Sequence, residues 1–133
     1  MSTADIHDRQ ALADLLATYA ASVDERDMVR YASCFTDDIE VIGFGQQTMN
    51  GRDTWVTYVS QALEKFTATQ HLLGMQLADI DGDIARTRTD VQATHFTEAE
   101  APAILWATYL SRMRRIDGHW KIYRHELVVR GTG

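Results

Sequence analysis

The chain has 133 residues, 45% of them hydrophobic and 24% charged, which suits one ordinary globular domain over residues 1–133 and is short for two cores. Its formal net charge is −6, with Arg and Lys scattered among acids, which argues against a nucleic-acid partner because phosphate neutralisation needs a concentrated basic surface. The apolar runs are too short to cross a bilayer, residues 1–8 are too polar for a signal peptide, and the single cysteine, Cys34, excludes an internal disulfide; no membrane partner and a cytoplasmic location are expected.

Leu12, Leu15, Leu16, Tyr19, Ala20 and Val23 repeat at the spacing of one helical stripe, which predicts a first helix capped by Asp5 with Asp8 in its first turn. A short second helix follows, capped by Asp27 and carrying Met28, Tyr31, Ala32 and Phe35 on one face. Ile39 to Phe44 reads as a strand. After the Asn50-Gly51 turn, Trp55, Tyr58, Val59, Ala62, Leu63 and Phe66 restore the helical period and predict a third helix. From Thr69 the period becomes 2. His71, Leu73, Met75 and Leu77 fall on one face of a strand, and Ala85, Thr87, Thr89, Val91, Ala93 and His95 on one face of the next. Pro102 sits in a short acidic loop with Glu98 and Glu100, and two long strands, about 104–116 and 120–129, meet at Asp117-Gly118. Helices first and strands afterwards predict an α+β domain with three helices packed on one face of a curved, mainly antiparallel sheet.

The first hairpin bears on chemistry. A two-residue Asp81-Gly82 loop would set the apolar face beside the charged one, whereas a three-residue Asp81-Gly82-Asp83 loop pairs odd positions with odd. That register puts His71 opposite Ala93 and His95 opposite Thr69, so the two imidazoles become diagonal neighbours on the core face. Each could be a core histidine satisfied by a backbone carbonyl; two converging on one spot make a site as good a reading as that one. Zinc wants three or four ligands, and with no HxH, HExxH or cysteine pair in the sequence no metal is expected. Asp24 stands at the C-terminal end of the first helix, where the macrodipole opposes a negative charge. Asp27 already serves as the next cap, so Asp24 calls for another partner. Tyr19, on the buried stripe, carries a hydroxyl that needs one too.

Leu15-Leu16-Ala17-Thr18-Tyr19, Val23 to Asp27, and Cys34-Phe35-Thr36-Asp37-Asp38, followed by His71, Asp81 to Ala85, His95 and Gly118 to Ile122, resemble the nuclear-transport-factor-2-like superfamily in its SnoaL-like, scytalone-dehydratase-like branch. The resemblance implies a cone-shaped α+β barrel with an internal pocket, often in a homodimer or homotrimer. By this resemblance Asp24, His71 and His95 match the pocket Asp and two His of scytalone dehydratase, and Tyr19, Asp24 and His71 match the catalytic set of bacterial bile-acid dehydratases. The catalytic Asp of steroid isomerases falls at Gly43, which counts against that route. Where many members of the branch carry Asn, four residues after the first His, this chain has Met75, which makes its pocket more apolar. The implied activity is dehydration of a small, apolar, ring-containing or polyketide- or steroid-like substrate, without a cofactor. His71 is then general base and acid, with Asp24 orienting an imidazole, Tyr19 donating to an oxyanion and His95 beside them. Met28, Phe35, Trp55, Tyr58, Leu73 and Met75 are the expected substrate walls. Isomerisation or cyclisation by the same proton transfers, a non-catalytic ligand-binding module and an assembly subunit are the alternatives.

Overall fold

The computed structural model describes residues 3–45, 47–99 and 101–133; Glu100, read from sequence as part of the acidic loop, lies outside the described residues. Three helices come first or early: α1 (Thr3–Glu25), α2 (Met28–Ala32) and α3 (Arg52–Leu63). The strands are β1 (Phe35–Ile42), β2 (Met49–Asn50), β3 (Ala68–Leu73), β4 (Leu77–Asp81), β5 (Ile84–Phe96), β6 (Ala103–Ile116) and β7 (His119–Thr132). They form one sheet in the order β2-β1-β7-β6-β5-β3, with β4 also on β5. The β1–β7 pair is parallel and every other pair antiparallel. The α+β class is as expected, but the sheet curls without closing, so the expected barrel is an open wrap.

The helices cover the concave face because each carries one apolar stripe. Leu12, Leu16, Tyr19 and Val23 of α1, Tyr31 of α2, and Trp55, Val59 and Leu63 of α3 meet Ile39, Val41, Val91, Tyr109, Met113 and Ile122 of the sheet in one core. Local boundaries differ from the sequence reading at the start of α1 and at the start of β1, while the cap of α2 is as expected. Asp5 lies inside the first turn of α1, which starts at Thr3, and is not its cap. Phe35 opens β1, which runs from Phe35 to Ile42 and not from Ile39 to Phe44. Asp27 does cap α2, accepting a hydrogen bond from the Arg30 backbone N–H at 3.1 Å.

The expected single strand through His71 and Leu77 is two strands. β3 ends at Leu73 and β4 begins at Leu77, both paired with β5, and Met75 in the break is 94% exposed. The hairpin loop is Gly82-Asp83, two residues between the paired Asp81 and Ile84, so β4 pairs even positions with odd. The break then shifts the register by one residue, and β3 pairs Thr69 with His95 and His71 with Ala93. The histidines stand where expected, by a different route from the three-residue loop.

Two irregularities in β7 bend the sheet. Met113 faces Ile122 but Arg112 faces Arg124, leaving Tyr123 as an extra residue, and a second shift follows between Trp106 and Ala107. A bulge of this kind re-aims the side chains beyond it. Trp120 and Ile122 point into the core, and past the bulge it is His125, fully buried, that points inward, with Arg124 kept outside. Asp117 and Gly118, both at positive φ, close the β6–β7 hairpin as the tight turn expected.

Gly43 leaves β1 at φ +89°, and a Cβ there would collide with the Leu127 carbonyl of β7. No side chain fits, so an Asp at this position is excluded by geometry. Gly118 also has positive φ but nothing within 4 Å of its Cβ position. Gly43→Ala is therefore expected to lower unfolding free energy by clearly more than Gly118→Ala. The latter pays only the left-handed penalty of about 1–2 kcal/mol, while the former adds an overlap of roughly 1–3 kcal/mol. Urea denaturation of both variants checks this, and equal losses would mean that the Gly43 contact relaxes freely.

Candidate active site

The last turn of α1 delivers Asp24 to β3. β3 is an edge strand, so backbone groups on its outer side lack a sheet partner, and the His71 backbone N–H donates to Asp24 Oδ2 at 2.8 Å. The other oxygen, Oδ1, accepts from the His71 ring at Nδ1 (2.8 Å) and from the Thr69 hydroxyl (3.0 Å). A carboxylate only accepts, so Nδ1 carries the proton and Nε2 is the free ring atom. Thr69 in turn accepts from Arg26 Nη1 at 2.8 Å. Arg26 ends the helix at φ +60°, a conformation that turns its side chain back over the helix end, where Nη1 also meets the Val23 carbonyl at 2.7 Å.

The electrostatics follow from these contacts. Burial alone would raise the Asp24 pKa, but hydrogen bonds from the His71 ring and backbone, the positive charge that a protonated ring would add, and the Thr69 hydroxyl outweigh it and hold the carboxyl below the usual range. Asp24 thus stays ionised at the negative end of a helix because β3 supplies three donors. His95 lies 6.2 Å from His71, ring to ring, and rests against Phe66 at 4.7 Å. Its Nδ1 faces the Ala103 carbonyl at 3.4 Å. Burial, with help from the neighbouring His71 and the positive Arg26, lowers its pKa despite that contact, so His95 is neutral near pH 7.

His71 and His95 form one wall of a cavity of about 170 Å³, whose other walls include Tyr19, Tyr31, Phe44, Trp55, Tyr58, Leu63, Tyr109 and Leu127. Of the residues expected to line it, Trp55 and Tyr58 do, stacked at 5.9 Å. Phe35 is buried behind that wall against Tyr31 and Tyr19. Met28 packs on the core without lining the cavity. Leu73 and Met75 border a separate depression of about 360 Å³ beside Arg9 and Gln76. That depression is larger but holds neither histidine nor carboxylate, so it has no group suited to proton transfer near neutral pH.

No hydrogen bond joins Tyr19 to Asp24 among the described residues. The Tyr19 hydroxyl meets His125 Nε2 at 2.9 Å, and His125 Nδ1 meets Ser111 Oγ at 2.8 Å. Ser111 faces His125 because of the Tyr123 bulge. Burial pushes the His125 imidazole down to about 3 and keeps it neutral. The hydroxyls of Tyr19, Tyr31 and Tyr109 are pushed well above the ordinary phenol value, chiefly by burial, and stay protonated. The Tyr31 hydroxyl and Trp55 Nε1 are buried and have no hydrogen-bond partner among the described residues. Tyr31 lies near enough to Tyr19 and Trp55 for their dipoles to stabilise its anion, but neither reaches bonding geometry. An unpaired buried polar group costs roughly 1–3 kcal/mol. Sequence reasoning missed Thr69, Arg26, Tyr31 as a polar group and His125 as a buried one.

Over residues 4–126 the chain matches the family model described as a SnoaL-like domain. Among curated proteins, uncharacterized proteins of Mycobacterium bovis and Mycobacterium tuberculosis are 30% identical over 89 residues, which is 66% of this chain and 60% of theirs. The chain thus spans under two thirds of the length of these relatives. Among solved structures, a putative scytalone dehydratase from Novosphingobium aromaticivorans superposes with a TM-score of 0.93 at 24% identity, covering 100% of this chain and 91% of that one. A hexachlorocyclohexane dehydrochlorinase, LinA-type3 from Novosphingobium barchaimii, gives 0.86 at 23% identity, over 97% and 90%.

The His125 environment sets a pH dependence. The folded pKa of about 3 lies below the unfolded value of about 6.5, so the unfolded chain binds more protons between them. The contribution of His125 is complete above about pH 6.5 and is lost as pH falls toward 3, at about 1.4 kcal/mol per unit. Urea unfolding measured across that window is expected to show a shallower pH dependence in His125→Gln than in the unaltered chain. Identical slopes would mean that His125 titrates freely in the folded protein.

Proposed function

The chain belongs to the SnoaL-like domain family, and from that premise we propose that it is an acid/base enzyme of the dehydratase type acting on a small, apolar, ring-containing substrate. The observation that carries the reading is the Asp24–His71 unit, with a 2.8 Å contact at Nδ1 and Nε2 left free on the wall of an aromatic cavity. Two neighbours of the same fold, the putative scytalone dehydratase and the dehydrochlorinase, carry elimination chemistry in their names.

The steps use side chains alone. His71 Nε2 takes a proton from the carbon next to a carbonyl, and the electron pair left behind forms the new double bond as the C–O bond to the leaving hydroxyl breaks. The proton on Nε2 then passes to the departing oxygen, which leaves as water. Asp24 holds the ring by Nδ1 and stabilises the imidazolium between the two transfers. Histidine is suited to both steps because its unperturbed pKa lies near neutrality. His95, neutral and across from His71, offers Nε2 to the same substrate.

Tyr19 serves the developing oxyanion when the Ser111–His125 pair is oriented toward it. With Ser111 donating to Nδ1, His125 Nε2–H donates to the Tyr19 oxygen and leaves the phenolic proton free for the cavity. His125 would then act on the substrate only through Tyr19, as a positioning residue.

Asp24→Asn and His71→Ala are expected to reduce turnover by about 10²–10⁴-fold each, the usual worth of general acid–base catalysis. The double variant should lose little more than either single one, because the two act as a unit. A screen of hydroxylated ring ketones read by water elimination supplies the assay. Wild-type protein that binds such ketones without releasing product would support a ligand-binding module instead.

We also propose self-association as a dimer or trimer through the outer sheet face, where Phe96 (41% exposed), Trp106 (41%) and Leu110 (36%) stand out among charged neighbours. Light scattering at micromolar concentration is expected to give a mass at least twice that of the chain, and a monomer would remove the proposal.

A further inference from the structure

We propose that the Tyr31 hydroxyl and the Trp55 indole N–H form an oxygen-binding subsite that holds the carbonyl or enolate oxygen of a single-ring ligand inside the aromatic cavity. This rests on the reading of that cavity as a substrate pocket and adds to it the chemistry of what it holds. Both residues line the cavity that carries His71. They are 0% and 1% exposed, and both polar atoms lack a partner among the described residues. Their ring centroids lie 6.5 Å apart.

An indole N–H can only donate, and a phenol hydroxyl donates readily, so the missing partner is an acceptor. The lining contains no lysine or arginine, and residues such as Val23, Val59, Leu63, Leu105 and Leu127 make its aliphatic part. A carboxylate or phosphate would enter such a site without a counter-charge, whereas a neutral carbonyl oxygen meets two donors and needs none. Size narrows the ligand further. An apolar cavity of about 150 Å³ takes one benzene ring, so about 170 Å³ takes one six-membered ring with a small substituent. An enolate formed by proton loss to His71 would carry its growing charge on the oxygen these donors hold.

Acetophenone and α-methylstyrene test the subsite, since they share a planar shape and differ in C=O against C=CH₂. The full chain, labelled with ¹⁵N in its tryptophan side chains, is titrated with each, the Trp55 resonance being assigned by its loss in Trp55→Phe. Acetophenone is expected to bind about tenfold more tightly than the hydrocarbon, the worth of one good hydrogen bond, and to move the Trp55 indole proton downfield. Tyr31→Phe should erase most of that preference and leave the melting temperature unchanged or raised, because it removes an unpaired buried hydroxyl. Equal affinity for the two compounds, no detectable binding of either, or a Trp55 proton that stays in place while the ketone binds would overturn the subsite. So would a Tyr31→Phe variant that melts several degrees lower with the preference intact. A ketone that moves Trp55 but not the His71 ring resonances supports the subsite and counts against the proton-transfer reading, so the two claims fail separately.

Discussion

A carboxylate at the C-terminal end of a helix faces carbonyl dipoles that oppose its charge, so it stays ionised only if donors arrive from elsewhere in the fold. Here an edge strand supplies them. Asp24 takes the backbone N–H and ring Nδ1 of His71 and the Thr69 hydroxyl. One side chain thereby satisfies an exposed strand edge, anchors the end of α1 against the sheet, and chooses the tautomer of the imidazole on the cavity wall. Arg26, turned back by its positive φ, holds Thr69 from the other side. Stability and chemistry meet at this point, because the contacts that fasten the helix also leave Nε2 as the ring atom facing the cavity.

The remainder of the cavity is built from aromatic rings, and its polar atoms fall into three classes. Some are paired internally, as in the buried Ser111–His125–Tyr19 chain. One histidine, His95, has a partner at only one ring nitrogen. Tyr31 and Trp55 carry donors with no hydrogen-bond partner among the described residues. An apolar shell strengthens every such interaction by excluding water. The proposed ligand, ring-sized with one oxygen acceptor and one removable proton, rests on this distribution of donors and bases.

Much of this was legible in the chain. The stripe from Leu12 to Val23 announced the helix that carries Asp24, and the alternation from Ala85 to His95 announced the strand that carries His95. The Asp27 cap and the tight Asp117-Gly118 turn were readable because those side chains interact with their own neighbourhood. What was hidden depends on register. Gly74 to Gln76 interrupts the edge strand, so Met75 sits in solvent although a strict period of 2 would place it beside His71. The extra residue at Tyr123 inverts the facing of β7, and only that inversion buries His125. Thr69 and Arg26 carried no local signal, since their partners lie 45 and 43 residues away along the chain. Tyr31 was read as packing, correctly for its ring, while its hydroxyl could be judged only against the cavity.

The central claim is that Asp24 holds His71 as the Nδ1–H tautomer with Nε2 free to take a proton. Nitrogen-15 NMR of the His71 ring, at a pH where the ring is neutral, reads this directly, since protonated and bare ring nitrogens resonate far apart. A protonated Nδ1 and a bare Nε2 are expected, with the preference lost in Asp24→Asn. A ring protonated at Nε2 in the unaltered protein would contradict the claim.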